Sequence, residues 1–218
     1  MIHFDTVSKR YSSGCKALLR INLHIAPGEM AFLTGRSGAG KSTLLKLAAL
    51  MEAPSQGTIV INGKNIARLT RTQIPTLRQN MGLILQQPHL LHDRTVFDNV
   101  ALPLKIVEQQ NNQIKERVYI ALDIVGLLDK TSVLPQMLSV GEQRRVEIAR
   151  AMVHQPKIIL ADEPTANLDQ RTAINMIQLF SALNKVGITV LIATHDLMLI
   201  AAMPYRIYTL RKGTLING

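Results

Sequence analysis

Eight consecutive residues, Gly35, Arg36, Ser37, Gly38, Ala39, Gly40, Lys41 and Ser42, carry the G-x-x-x-x-G-K-[ST] pattern of a phosphate-cradling loop, and Thr43 follows. Its glycines let backbone N–H groups curl around an anion at a helix N-terminus, where the peptide dipoles favour negative charge. Lys41 adds a point charge suited to the β- and γ-phosphates of a nucleotide, and the Ser42 hydroxyl suits a Mg²⁺ ion. Average composition gives a chance match in a chain of 218 residues at a rate on the order of one percent.

A second cluster stands at Asp162 and Glu163, where the apolar run Lys157–Ala161 ends. A carboxylate at such a strand end can hold the water shell of a metal opposite Ser42. The next one can orient an attacking water or take its proton. Alone, an acidic pair at a strand end is usually solvated turn chemistry. Beside a phosphate loop, the catalytic reading takes precedence.

These groups need a frame. Residues 2–7 and 21–25 alternate apolar with polar, as half-buried strands do. Residues 29–34 predict a strand entering the phosphate loop, followed by a helix over Lys41–Met51. Further strands are predicted at 58–62, closed by the turn dipeptide Asn62-Gly63, and at 81–85. Helical patterning runs from Val96 to about Lys130, with a polar break at Glu108–Gln113, and again over Gln143–Val153. Apolar runs at 157–161 and 188–193 each follow a helical segment, which argues a parallel sheet covered by helices. Residues 205–210 and a last short strand after the Lys212-Gly213 turn end the pattern.

Composition bounds the rest. Hydrophobic residues make up 47% and aromatics 4%, so the core must be aliphatic. The single cysteine, Cys15, excludes an internal disulfide and fits a reducing compartment. No signal-peptide pattern opens the sequence, and no apolar run reaches the length of a spanning helix, so a soluble protein is expected. Lys and Arg exceed Asp and Glu by 25 to 15, a formal charge of +10. That excess suits anionic lipid, nucleic acid or an acidic partner, or simply solubility. The basic residues are scattered, at Lys9/Arg10, Arg68/Arg71, Arg144/Arg145 and Arg211/Lys212. No dedicated nucleic-acid arm is therefore expected.

Between the phosphate loop and the acidic pair lies Leu138-Ser139-Val140-Gly141-Glu142-Gln143. This resembles the signature sequence of the ATP-binding cassette (ABC) ATPases, normally L-S-G-G-Q, with one departure at Val140. Further motifs of that family follow in order. Gln86 stands where the Q-loop glutamine does, Ala166-Asn167-Leu168-Asp169 resembles the D-loop, and His195 resembles the switch histidine. Tyr11 sits where the family places an aromatic against adenine. Singly, Tyr11 reads as strand-end packing, Gln86 as a polar loop residue and His195 as a helix-cap neighbour. Their order and spacing together carry the resemblance.

The resemblance implies an α/β fold: a P-loop NTPase core with a mainly parallel sheet, an N-terminal antiparallel β subdomain and a helical subdomain. It implies one domain over residues 1–218, with the helical subdomain inserted at about 87–155. ATP and Mg²⁺ are the implied cofactors. Tyr11, residues 35–43, Gln86 and Asp169 would contact the nucleotide, with Ser139 and Gly141 closing over the γ-phosphate across an ATP-dependent homodimer. Ser42, Gln86 and Asp162 would hold the metal, and Lys41, Glu163 and His195 would carry catalysis.

Two stretches, Gly28–Thr34 and His92–Val100, narrow the resemblance to the bacterial cell-division branch of the family, the FtsE type. That branch implies an integral membrane partner of the FtsX type and a peripheral position on the cytoplasmic side of the bacterial inner membrane, with cytoplasmic division proteins as further partners. No specific nucleic acid is expected. Lipoprotein-releasing and macrolide-exporting relatives share much of the pattern, and a division scaffold that scarcely hydrolyses ATP is a further alternative. Chromosome-handling ABC ATPases insert long coiled coils between the half-sites. Here about a hundred residues without heptads separate Lys41 from Ser139. Val140 leaves two readings open: a glycine required by positive φ, which valine would strain, or a backbone valine also adopts, with its side chain turned from the nucleotide into the helical subdomain.

Overall fold

The computed structural model describes residues 1–218 apart from 88, 108–110, 202 and 218. Strands β1 (Ile2–Arg10) and β2 (Lys16–Ile25) form an N-terminal hairpin, and β3 (Met30–Thr34) leads through the phosphate loop into helix α1 (Lys41–Ala48). Then come β4 (Gln56–Ile61), β5 (Lys64–Asn65), α2 (Gln73–Arg78) and β6 (Met81–Ile84). Helices α3 (Val96–Ile106), α4 (Asn111–Ile124) and α5 (Val140–Met152) precede β7 (Ile158–Asp162). The order continues with α6 (Gln170–Lys185), β8 (Thr189–Thr194), α7 (Leu197–Ala201), β9 (Arg206–Arg211) and β10 (Thr214–Asn217).

Two sheets result. One is antiparallel, in the order β2-β1-β4-β5; the other runs β10-β9-β3-β8-β7-β6 and is parallel except for the β9–β10 pair. Every residue of β3, β7 and β8 is buried, as befits strands covered on both faces. Successive side chains point to opposite faces of a strand, and β3 shows the result. Ala31 and Leu33 join the antiparallel sheet and α1 in one apolar cluster, whereas Met30 and Phe32 join α3, α4, α5 and α6 in another. The expected α/β class and the antiparallel N-terminal sheet are both present.

Several predicted boundaries move for identifiable reasons. The helix expected over Lys41–Met51 stops at Ala48. Leu50 adopts φ 59°, and the Leu50 and Met51 amides bond back to the Leu47 and Lys46 carbonyls, a Schellman ending formed without glycine. The helix expected from Gln143 begins three residues earlier, at Val140, because Ser139 and Glu142 close a capping box. Residues 111–113 of the expected polar break belong to α4, and 108–110 lie outside the described residues. The strands expected at 29–34, 157–161, 188–193 and 205–210 each begin one residue later, and that at 58–62 begins at Gln56. No helix among the described residues is long and apolar enough to cross a membrane.

Candidate active site

The chain leaves β3 at Thr34 and enters α1 at Lys41, with Gly40 as the helix N-cap at φ 109°. A Cβ on Gly40 would stand 2.6 Å from the Ala17 carbonyl oxygen and 2.8 Å from a Leu18 methyl, so the loop packs tightly on the start of β2. The turn between β9 and β10 braces it too: the Gly213 amide donates to the Ala39 carbonyl at 3.1 Å. Arg36, Ser37 and Gly38 are exposed at the loop's crest, and Ala39 is buried beneath it. No side chain caps α1, so its first-turn amides are left for an anion.

Lys41 is buried, and its Nζ donates to the Gly35 carbonyl at 2.8 Å and lies 3.4 Å from Glu163 Oε1. The other oxygen of Glu163 is 2.9 Å from His195 Nδ1 and accepts from the His195 amide at 3.3 Å. Lysine, glutamate and histidine therefore form one connected row. Glu163 itself holds a left-handed backbone, φ 49°, pinned by its amide bonding to the Ala193 carbonyl at 2.8 Å. Non-glycine residues seldom pay that strain, and they do so most often at functional sites. His195 is the solvent-facing end of the row, with its side chain 67% exposed against 9% for Glu163.

Asp162 ends β7, buried, and its Oδ1 has no hydrogen-bond partner among the described residues. Burial pushes its carboxyl above the usual range, and the neighbouring Glu163 charge adds to this; the Ser42 hydroxyl and Lys41 oppose it. An orphaned buried carboxylate oxygen beside a serine hydroxyl is a donor set a hard divalent cation fits. The third expected ligand, Gln86, lies exposed just past β6. Ile84 pairs with Ala161 in the parallel register, so the residues after β6 leave the sheet alongside Asp162 and Glu163.

The Tyr11 hydroxyl lies 3.3 Å from Thr43 Oγ1 and donates to Glu52 Oε1 at 3.1 Å. Lys9 Nζ stands 5.1 Å from the ring centroid and 3.1 Å from Glu52 Oε2. Tyr11 is thus brought to the first turn of α1, and Lys9 and Glu52 are neighbours the sequence did not single out.

Three expected residues point elsewhere. Ser139 caps α5 and bonds Glu142 Oε2 at 2.7 Å, and Lys130 binds the other Glu142 oxygen. Those contacts hold the Glu142 carboxyl down at about 2. Gly141 faces α6, where an added Cβ would lie 3.0 Å from Thr172 Cγ2. Asp169 caps α6, accepting from the Thr172 amide at 2.9 Å and hydroxyl at 2.6 Å, bonds that lower its carboxyl below the usual range. Among the described residues, no hydrogen bond or ion pair joins Ser139, Gly141 or Asp169 to the phosphate loop of their own chain.

Val140 is absent from the residues of positive φ and opens α5 in ordinary helical backbone, so its departure from glycine costs no strain. Its side chain is 51% exposed, not turned into the helical layer as expected. Sequence reading also passed over Arg144, Glu147 and Arg150, which α5 presents to the loop after β6. Their only signal is charge at i, i+3 and i+6 along a helix that otherwise buries Val146, Ile148, Ala149 and Ala151.

A family model described as ABC transporter matches residues 18–166. The cell division ATP-binding protein FtsE of Escherichia coli strain K12 is 53% identical over 218 residues, spanning 100% of this chain and 98% of that protein. FtsE of Bacillus subtilis strain 168 is 40% identical over 217 residues, spanning 100% and 95%. Among solved structures, the ATP-binding cassette MJ0796, as a dimer in a post-hydrolysis state bound to ADP and Pi, superposes with a TM-score of 0.91. It is 33% identical, covering 100% of this chain and 97% of that one.

Proposed function

The chain belongs to the ABC transporter family and to its FtsE branch, and from that premise we propose that two copies enclose MgATP and drive an FtsX-type membrane subunit in bacterial cell division. The observation that carries this reading is a division of labour. Lys41, Glu163, His195 and Asp162 converge on one phosphate loop, while Ser139 and Gly141 make no bond to it. A second copy supplies what each half-site lacks, a reading supported by the dimeric form of the similar cassette MJ0796. The helical segment, about 87–155, is the subdomain that docks the membrane partner, near residues 86–105. The chain then sits peripherally on the cytoplasmic face of the inner membrane.

ATP hydrolysis needs positioning and charge stabilisation more than covalent chemistry. Phosphate entering the loop takes Lys41 from the Gly35 carbonyl and from Glu163. Glu163, relieved of its lysine, has an oxygen free to orient a water and accept its proton, and His195 holds the other oxygen. Residues 35–43 and Tyr11 bind the nucleotide. Ser42 and Gln86, with Asp162 acting through water, are the groups to hold Mg²⁺, which when bound neutralises charge on the phosphate oxygens. Ser139 and Gly141 of a second copy close over the γ-phosphate, and Asp169 lies at the same seam.

The test is phosphate release by the chain alone and by its complex with the FtsX-type subunit, alongside size-exclusion chromatography of Glu163→Gln with MgATP. Hydrolysis and an ATP-dependent shift from monomer to dimer are expected. A variant that stays monomeric while the parent hydrolyses normally defeats the sandwich.

A further inference from the structure

Arg144 and Glu147, both buried, and the half-buried Arg150 form an ion cluster that the nucleotide chemistry above does not use. The Arg144 and Glu147 side chains are 4% and 2% exposed and pair at 2.9 Å. Arg144 Nη1 also donates to the Leu85 carbonyl at 2.9 Å, and Nη2 donates to the Gln86 carbonyl. Glu147 Oε1 accepts from the His89 amide at 3.2 Å, and Arg150 Nη1 donates to the His89 carbonyl at 2.7 Å. One face of α5 thus satisfies three carbonyls and an amide of the loop that follows β6.

Stability alone does not account for this arrangement. Apolar residues of similar volume serve as well as a buried pair or better. Gln86 is exposed, so the loop lies at the surface rather than in the core. What a guanidinium fork adds is geometry, because two successive carbonyls held by one rigid plane leave the intervening backbone little freedom to rotate. Among the described residues the Gln86 side chain makes no hydrogen bond, so its backbone is fixed while its amide is left to a ligand.

We propose that Arg144 and Glu147 are positioning residues that hold the Gln86 backbone and thereby aim its amide at the divalent cation of the bound nucleotide. The proposal rests on the reading of Gln86 as a metal ligand given above. It differs from a packing role in one measurable respect: metal affinity changes while metal-free nucleotide affinity does not.

The experiment uses the full chain carrying Glu163→Gln as parent. Arg144→Met with Glu147→Met removes both charges together, so neither is left buried alone. Arg144→Lys reaches at most part of the fork. Affinity for a fluorescent ATP analogue in EDTA is expected to stay within about twofold of the parent. Mn²⁺ affinity of the stoichiometric ATP complex, read from the free-ion electron paramagnetic resonance signal, is expected to fall about tenfold in the double variant and less in the lysine variant. Amide exchange at His89, whose N–H bonds Glu147, should quicken in the double variant. Mn²⁺ affinity equal to the parent's in both variants overturns the proposal, as does Mn²⁺ held no more tightly by the parent complex than by free ATP. If the double variant does not fold, the lysine variant decides by the same criteria. Failure of the parent to dimerise with MgATP would instead count against the sandwich and leave the Mn²⁺ comparison standing.

Discussion

Alanine at Gly40 and alanine at Gly38 should fail in different ways. At Gly40 the backbone sits at φ 109°, and a Cβ would press within 2.6 Å of the Ala17 carbonyl and 2.8 Å of Leu18. The dihedral strain costs about 1–3 kcal/mol, and overpacking against backbone that cannot swing aside adds about 1–3 kcal/mol. At Gly38 the φ is 76° and a Cβ meets nothing within 4 Å, so only strain remains. That amounts to about 1 kcal/mol. For a domain of this size each kcal/mol moves the melting temperature by about 2–4 °C. Gly40→Ala should therefore melt about 10 °C below the parent, and Gly38→Ala only about 3 °C below it. Gly38 lies at the exposed crest, so its variant should fold and yet bind nucleotide poorly, because alanine resists the left-handed backbone that the phosphate-wrapping loop adopts there. Differential scanning calorimetry without nucleotide, followed by titration with a fluorescent ATP analogue, separates the two effects. Equal melting temperatures would refute the packing argument.

Three further outcomes are expected. Lys41→Ala should weaken ATP binding and stop hydrolysis, read by the same titration and by phosphate release; unchanged affinity and turnover would remove the phosphate loop from the mechanism. Val140→Gly should change turnover less than about tenfold because valine carries no backbone strain, while Gly141→Val, pressed on Thr172, should abolish ATP-driven dimerisation in size-exclusion chromatography. Glu142→Gln should lower stability by about 1 kcal/mol through the lost ion pair with Lys130 and the weaker acceptor left to Ser139. Since the Glu142 carboxyl is depressed from 4.5 to about 2, that difference should be full above 4.5 and vanish as pH falls toward 2, which denaturant titrations across acid pH will show.

The parts of the site most legible in the sequence were those whose residue types follow directly from the chemistry of phosphate and metal. Gly40, Lys41, Ser42, Asp162 and Glu163 are nearly forced once a phosphate must be wrapped and a water oriented. The central strands were legible as well, since burial on both faces leaves β3, β7 and β8 almost wholly apolar. Sheet order was not legible, because β3 lies between β8 and β9, partners more than 150 residues away, and periodicity carries no such address. The end of α1 was misjudged because a left-handed Leu50 looks like any helical leucine in sequence. The start of α5 could have been found, since Ser139 and Glu142 spell a capping box. The Arg144–Glu147 pair was passed over because scattered charge on a helix usually means solvent.

The brace that Gly213 and Ala17 give the phosphate loop bears on synthesis. A ribosome delivers the loop early, with β3 just ahead of it, but β8, β9 and the Gly213 turn emerge more than 150 residues later. Until then β3 has neither neighbour, and the loop lacks the Gly213 contact beneath it. Nucleotide therefore cannot stabilise the nascent chain before those segments emerge, and the apolar β3 must be kept from aggregation without that help. Competence to bind ATP thus waits on the segments that flank β3 and brace the loop from beneath.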